Sequence, residues 1–145
     1  MGLEEEITEL QDVAEVLGVR RPKTPADLVR IVADGLPLKS LARISDFLAP
    51  ADSAFKYHIV PKASLARRKG GKKLSPSESA LVARLARIWA LAFGIWRDED
   101  DARDFLNRRH QLLGGHRPIE MAMKNEIGAR LVEDLLGRIQ SGVAV

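Results

Sequence analysis

The stretch from Ser75 to Trp96, S-P-S-E-S-A-L-V-A-R-L-A-R-I-W-A-L-A-F-G-I-W, constrains this chain more than any other. Its first four residues spell a helix start. Ser75 is placed to accept from the backbone N–H of Glu78, and Glu78 to reach back to the N–H of Ser75. Pro76 falls at the first helical position, where a missing N–H costs nothing. Apolar residues then recur at helical spacing through Leu81, Leu85, Ile88, Ala92 and Ile95, and through Val82, Ala86, Trp89, Phe93 and Trp96. Glu78, Ser79, Arg84 and Arg87 keep one side of the first half polar. From Ile88 to Trp96 every residue is apolar or Gly, which predicts burial on all sides. At 1.5 Å per residue the helix is about 33 Å long, enough to be the central post of a small domain. A membrane span is the rival reading. Arg84 and Arg87 inside the segment, and the shortness of its fully apolar part, argue against it.

The rest of the chain reads as helices around that post. Leu3, Ile7, Leu10, Ala14 and Leu17 form a narrow seam closed by Gly18, docked on its own domain or paired in a dimer. Val19–Lys23 reads as a linker. Thr24-Pro25-Ala26-Asp27 repeats the cap logic with Asp in the role of Glu, and Leu28, Ile31 and Val32 give the helix a face before Gly35. Pro37 starts a helix that Pro50 stops, and Ala51–Tyr57 is a short helical candidate. Pro61 opens P-K-A-S-L-A-R-R-K, which Gly70-Gly71 ends. Asp98-Glu99-Asp100-Asp101 and Arg108-Arg109-His110 fit the two ends of one further helix. Leu112-Leu113-Gly114-Gly115 is a turn, and Pro118 begins a short helix. Asn125 caps the last long one, with Ile127, Leu131, Leu135 and Ile139 at spacing four. No segment alternates with period two, so the fold class is all-α.

Charge is spread unevenly. The 145 residues carry a net +3, yet Lys56, Lys62, Arg67, Arg68, Lys69, Lys72 and Lys73 fall within a segment holding no Asp or Glu. That concentration points to a polyanion or to a solvated basic loop. A short helix, a turn at Tyr57-His58-Ile59 and a basic second helix fit a helix-turn-helix. Lys62, Ala63, Ser64 and Arg67 are then the exposed readers, and Arg68, Lys69, Lys72 and Lys73 hold phosphates. A basic connector between two helical parts is the competing reading.

Chemistry has little to stand on. There is no Cys, hence no thiol nucleophile and no thiolate metal site. His58, His110 and His116 lack ligand spacing, and no phosphate-binding glycine loop is present. No catalytic residue, metal or cofactor is expected, and the chain reads as a non-enzyme. Met1-Gly2-Leu3 begins no signal or lipidation pattern, and the absence of Cys suits a cytoplasmic protein. The tail Gly142-Val143-Ala144-Val145, small and apolar, is either a frayed end or a segment that inserts into another protein's cleft.

From Leu74 onward the chain resembles the Xre/MbcA/ParS-type antitoxins. The resemblance lies in L-S-P-S-E-S-A-L-V-A-R-L-A-R-I, then D-D-A-R-D-F-L, L-L-G-G-H-R-P-I-E-M-A and G-A-R-L-V-E-D-L-L-G-R-I-Q-S-G-V, with V-P-K-A-S-L-A-R-R-K upstream. It implies an Xre-like helix-turn-helix DNA-binding part over residues 1–73 and a toxin-binding part over residues 74–145. It further implies a cognate RES-domain toxin, an NAD-consuming or ADP-ribosylating enzyme whose active site the antitoxin's C-terminal end blocks, and operator DNA bound for autorepression, the two-fold operator favouring a homodimer. Carried over, the inhibitory end is Arg138, Gly142, Val143, Ala144 and Val145, with Leu135 and Ile139 packing behind. Gly114, Gly115 and Pro118 match the family's turn. Arg117 departs from the family's usual Thr, and Lys124-Asn125 stands where Thr is also common. A DNA-binding regulator without a toxin, and a dimerisation module built on Leu3–Leu17, are the alternatives.

Overall fold

The computed structural model describes residues 2–68 and 70–142, with backbone alone for residues 3–8. Among these residues are eight α-helices, two short 3-10 turns and no strand. The chain forms two compact units, Met1–Ala86 and Arg87–Val145, which divide inside the long helix. The sequence-based boundary at 73/74 lies before that helix.

In the first unit, α1 (Leu3–Leu17) ends at Gly18, whose left-handed backbone (φ 71°) turns its N–H onto Ala14 and Glu15. Ala14 and Leu17 are fully buried, so this end of the seam docks on its own unit. The seam's Leu3 and Ile7 side chains lie outside the described residues. α3 (Leu38–Leu48) closes the end of α1. Ser40 Oγ donates to Leu17 O at 2.7 Å, and Arg43 donates to Val16 O at 2.9 Å and Glu15 O at 2.8 Å. A cation thus sits on carbonyls that a helix end leaves unpaired.

α2 (Pro25–Ala33) is capped by Thr24, which accepts from the N–H of Asp27 at 3.1 Å. Asp27 does not return the bond to Thr24. Its carboxylate accepts from the N–H of Lys23 at 3.0 Å and takes Arg20 in a two-pronged pair at 2.7 and 2.8 Å. Arg20 draws it there, because a bidentate guanidinium contact outweighs one neutral amide.

The short helix expected at Ala51–Tyr57 is a 3-10 turn at Phe55–His58. α4 covers only Lys62–Ala66, shorter than the helix expected to run to Gly70-Gly71. It stops where Arg68 turns to Glu78 on α5 (Pro76–Trp96). The chain returns from this loop through Leu74, whose N–H meets Leu36 O at 2.9 Å.

α5 begins with the expected capping box. Ser75 Oγ accepts from Glu78 N–H at 3.2 Å, and Glu78 accepts from Ser75 N–H at 2.8 Å. The helix is long and apolar enough to cross a membrane by composition, as core helices also are. Val82, Leu85, Ala86, Ile88, Trp89 and Ala92 are buried within the protein. Burial on all sides from Ile88 to Trp96 is not observed. Leu91, Phe93, Ile95 and Trp96 are half-buried and Gly94 is exposed. α6 (Glu99–Asn107) covers one side only, with Phe105 stacked on Trp96 at 4.8 Å and Arg103 over Trp89 at 5.7 Å.

In the second unit Asp98 caps α6 through Asp101 N–H at 3.0 Å. The basic residues expected to close α6 separate. Arg108 pairs with Asp104, Arg109 donates to Gly115 O, and His110 accepts from Leu112 N–H to start the Gly114-Gly115 turn. α7 (Pro118–Lys124) and α8 (Glu126–Gln140) pack closely, and Asn125 caps α8 through Gly128 N–H at 2.9 Å.

Candidate functional site

The basic face of the first unit is built around the turn between the 3-10 segment and α4. Tyr57 leaves the 3-10 segment half-buried, and two ammonium groups lie near its ring. Lys56 Nζ is 5.4 Å and Lys62 Nζ 5.7 Å from the ring centroid. These residues border an open groove of about 440 Å³, floored by Leu38, Leu41, Ala42, Leu65 and Ala66. Leu65 lies half-buried in that floor.

The residues singled out for DNA contact fall into two groups. Lys62, Arg67, Lys72 and Lys73 are exposed, and Ser64 is half-buried beside Arg67 Nη2 at 3.5 Å. Lys72 Nζ folds back on Arg67 O at 3.4 Å. Arg68 differs, being engaged with Glu78, the same carboxylate that completes the α5 capping box. A guanidinium held in that way fixes the loop and has less reach for a phosphate. Lys69 lies outside the described residues. Lys56 and Tyr57 were not among the predicted contacts. The signal available for them was a lysine-aromatic pair directly before the turn.

In the second unit, α8 shows two faces. Gly128, Ala129, Val132, Leu135 and Leu136 are buried. Ile127 and Leu131 point outward, 74% and 45% exposed, on a helix otherwise well packed. Arg87 of α5 fixes this register. Its Nη2 donates to Glu133 at 2.6 Å and to Glu126 at 3.0 Å. Burial opposes the charge on Arg87, but Glu133 and Glu126 outweigh it and hold the guanidinium pKa above its ordinary value.

Of the residues expected at the inhibitory end, Leu135 is buried, Ile139 half-buried and Arg138 exposed. Gly142 turns the chain out of α8 at φ 77°, its N–H on Ile139 O. Val143, Ala144 and Val145 lie outside the described residues. Arg117 does not cap α7. It pairs with Glu120, and its guanidinium holds that carboxyl below the usual carboxylate range. Pro118 at the first helical position removes one donor that a cap would have to satisfy. Among the described residues no three acidic or histidine side chains cluster as a metal site.

Two family models match the chain, one on each side of the middle of α5. The Antitoxin Xre-like helix-turn-helix domain matches residues 27–87. The Antitoxin Xre/MbcA/ParS C-terminal toxin-binding domain matches residues 91–142. No curated protein matches the chain.

Proposed function

Because the chain is an Xre-type antitoxin, with a helix-turn-helix domain for DNA and a domain that binds a toxin, we propose that it neutralises a RES-domain toxin by occlusion and represses its own operon. The observation that carries the toxin reading is the outward apolar pair Ile127 and Leu131 within the toxin-binding domain. Large apolar side chains left in water beside a packed core favour a partner that covers them. Gly142 ends α8 with a left-handed backbone, and the proposed inhibitory segment begins there. The proposed inhibitory residues are Arg138 and Gly142 to Val145, with Leu135 and Ile139 holding the end of α8 in place.

Occlusion requires no bond making or breaking by this chain, so no catalytic residue is assigned. The toxin's reaction is NAD consumption or ADP-ribosylation, as the resemblance implies. DNA contact is assigned to Lys62, Ser64, Arg67, Lys69, Lys72 and Lys73, with a secondary role for Arg68. Binding as a homodimer would match a two-fold operator.

Co-expression with the product of the adjacent gene tests this. The intact chain should co-purify with that protein and restore both growth and cellular NAD. Ile127→Asp with Leu131→Asp should abolish co-purification without unfolding the chain, since both side chains already face water. Full capture of the toxin by this double variant would remove the α8 face from the proposal.

A further inference from the structure

We propose that Lys56, Tyr57 and Lys62 form a clamp for the phosphate backbone of duplex DNA, with the Tyr57 ring as the part that positions both cations. The inference rests on the DNA-binding reading and adds to it two residues, Lys56 and Tyr57, and a mechanism.

Two ammonium groups on one ring are an unusual economy. Each gains from the ring's negative face. Placed around a single side chain, they also repel each other. A folded protein normally relieves such repulsion with a carboxylate. Here none is supplied. The chain holds no Asp or Glu from residue 53 to residue 77. Of the two carboxylates that bound this stretch, Asp52 accepts from the N–H of Ala54, and Glu78 is occupied by Arg68 and by the N–H of Ser75. Among the described residues no ion pair engages Lys56 or Lys62. The arrangement therefore leaves both ammonium groups available to an anion from outside.

Its position selects the anion. Lys56 and Tyr57 belong to the 3-10 segment, and Lys62 is the first residue of α4. In a helix-turn-helix the first arm crosses the phosphate backbone, so the ring draws Lys62, which the sequence alone places among the base readers, back toward that backbone beside Lys56. Holding both lysines in place lowers the side-chain entropy lost on binding. Contacts of this kind set register without reading sequence.

Binding to two duplexes, the chain's own upstream region and a random sequence of equal length, tests the clamp across a salt series. Lys56→Gln and Lys62→Gln should each reduce the slope of log K against log salt by about 0.9 on both duplexes. Tyr57→Leu should weaken binding about tenfold, while Tyr57→Phe, which keeps the ring, should stay within about twofold of the parent. Slopes unchanged in both lysine variants would overturn the clamp and leave DNA binding by other residues standing. A loss confined to the chain's own upstream region would also overturn it, since phosphates carry no sequence. Failure of the parent chain to bind either duplex would remove the DNA-binding reading and the clamp with it.

Discussion

The backbone of Gly128 on α8 lies against the carbonyl of Met121 on α7 so closely that a Cβ at Gly128 would stand 2.0 Å from that oxygen. The obstacle is backbone, so no rotamer change relieves it. Gly128 N–H is also the donor satisfied by the Asn125 cap, so the same residue fixes both the start of α8 and its distance from α7. Gly128→Ala should therefore force the two helices apart and cost about 3 kcal/mol or more. Thermal unfolding by circular dichroism checks this, and toxin co-purification should fall with it. A melting temperature equal to the parent's would show that α7 and α8 separate at no cost.

Ser79 is fully buried on α5, and its Oγ accepts from the N–H of Leu36 at 2.9 Å. Ser79→Ala strands that N–H away from water, at about 1–3 kcal/mol. Hydrogen exchange at the Leu36 amide reads the effect locally. Exchange should accelerate there far more than in α8.

Arg20 and the N–H of Lys23 hold the Asp27 carboxyl far below its ordinary value, with the guanidinium bond the larger cause. A depressed carboxyl contributes stability above its unfolded pKa of about 3.9 and loses it as pH falls toward the folded value. The parent should thus lose stability between about pH 4 and pH 2, through this group among others. Asp27→Asn should flatten that part of the profile and lower stability at neutral pH. Chemical denaturation at a series of pH values measures both. An unchanged acid limb would mean that the pair is open in solution.

Exposed and engaged cations on the basic face should behave differently. Lys72→Ala removes an exposed charge and should reduce the salt slope of duplex binding by about 0.9, with no change in melting temperature. Arg68→Ala removes the partner of Glu78, so its main effect should be on stability, about 0.5–1.5 kcal/mol given partial exposure. Equal slopes and equal stabilities for the two variants would contradict the division.

Deleting residues 142–145 tests the tail separately from the α8 face. The truncated chain should keep its melting temperature and still co-purify with the toxin, while growth protection is lost. A truncated chain that protects cells as well as the parent would place the inhibition elsewhere.

Much of the local structure was legible because its causes are local. The Ser75–Glu78 box, the Thr24 and Asn125 caps and the Gly18 stop each depend on residues within one turn of each other. The end of α4 was not legible, since the arginine just beyond it, Arg68, is engaged by a carboxylate ten residues further on. The spacing of Ile127, Leu131, Leu135 and Ile139 illustrates a different limit. A step of four overshoots a 3.6-residue turn by about 40°, so twelve residues rotate the stripe by about 120°. Ile127 consequently faces water while Leu135 is buried.

What the order of residues determined by itself was the helical class, the caps, the concentration of positive charge and the family resemblance. Each follows from neighbours in sequence or from composition. Only the tertiary structure decided which apolar side chains remain in water, which arginine of the basic segment is spent on a fold contact, and why position 128 tolerates no side chain. Those depend on how near a second element comes, and that distance is set by packing rather than by spacing along the chain.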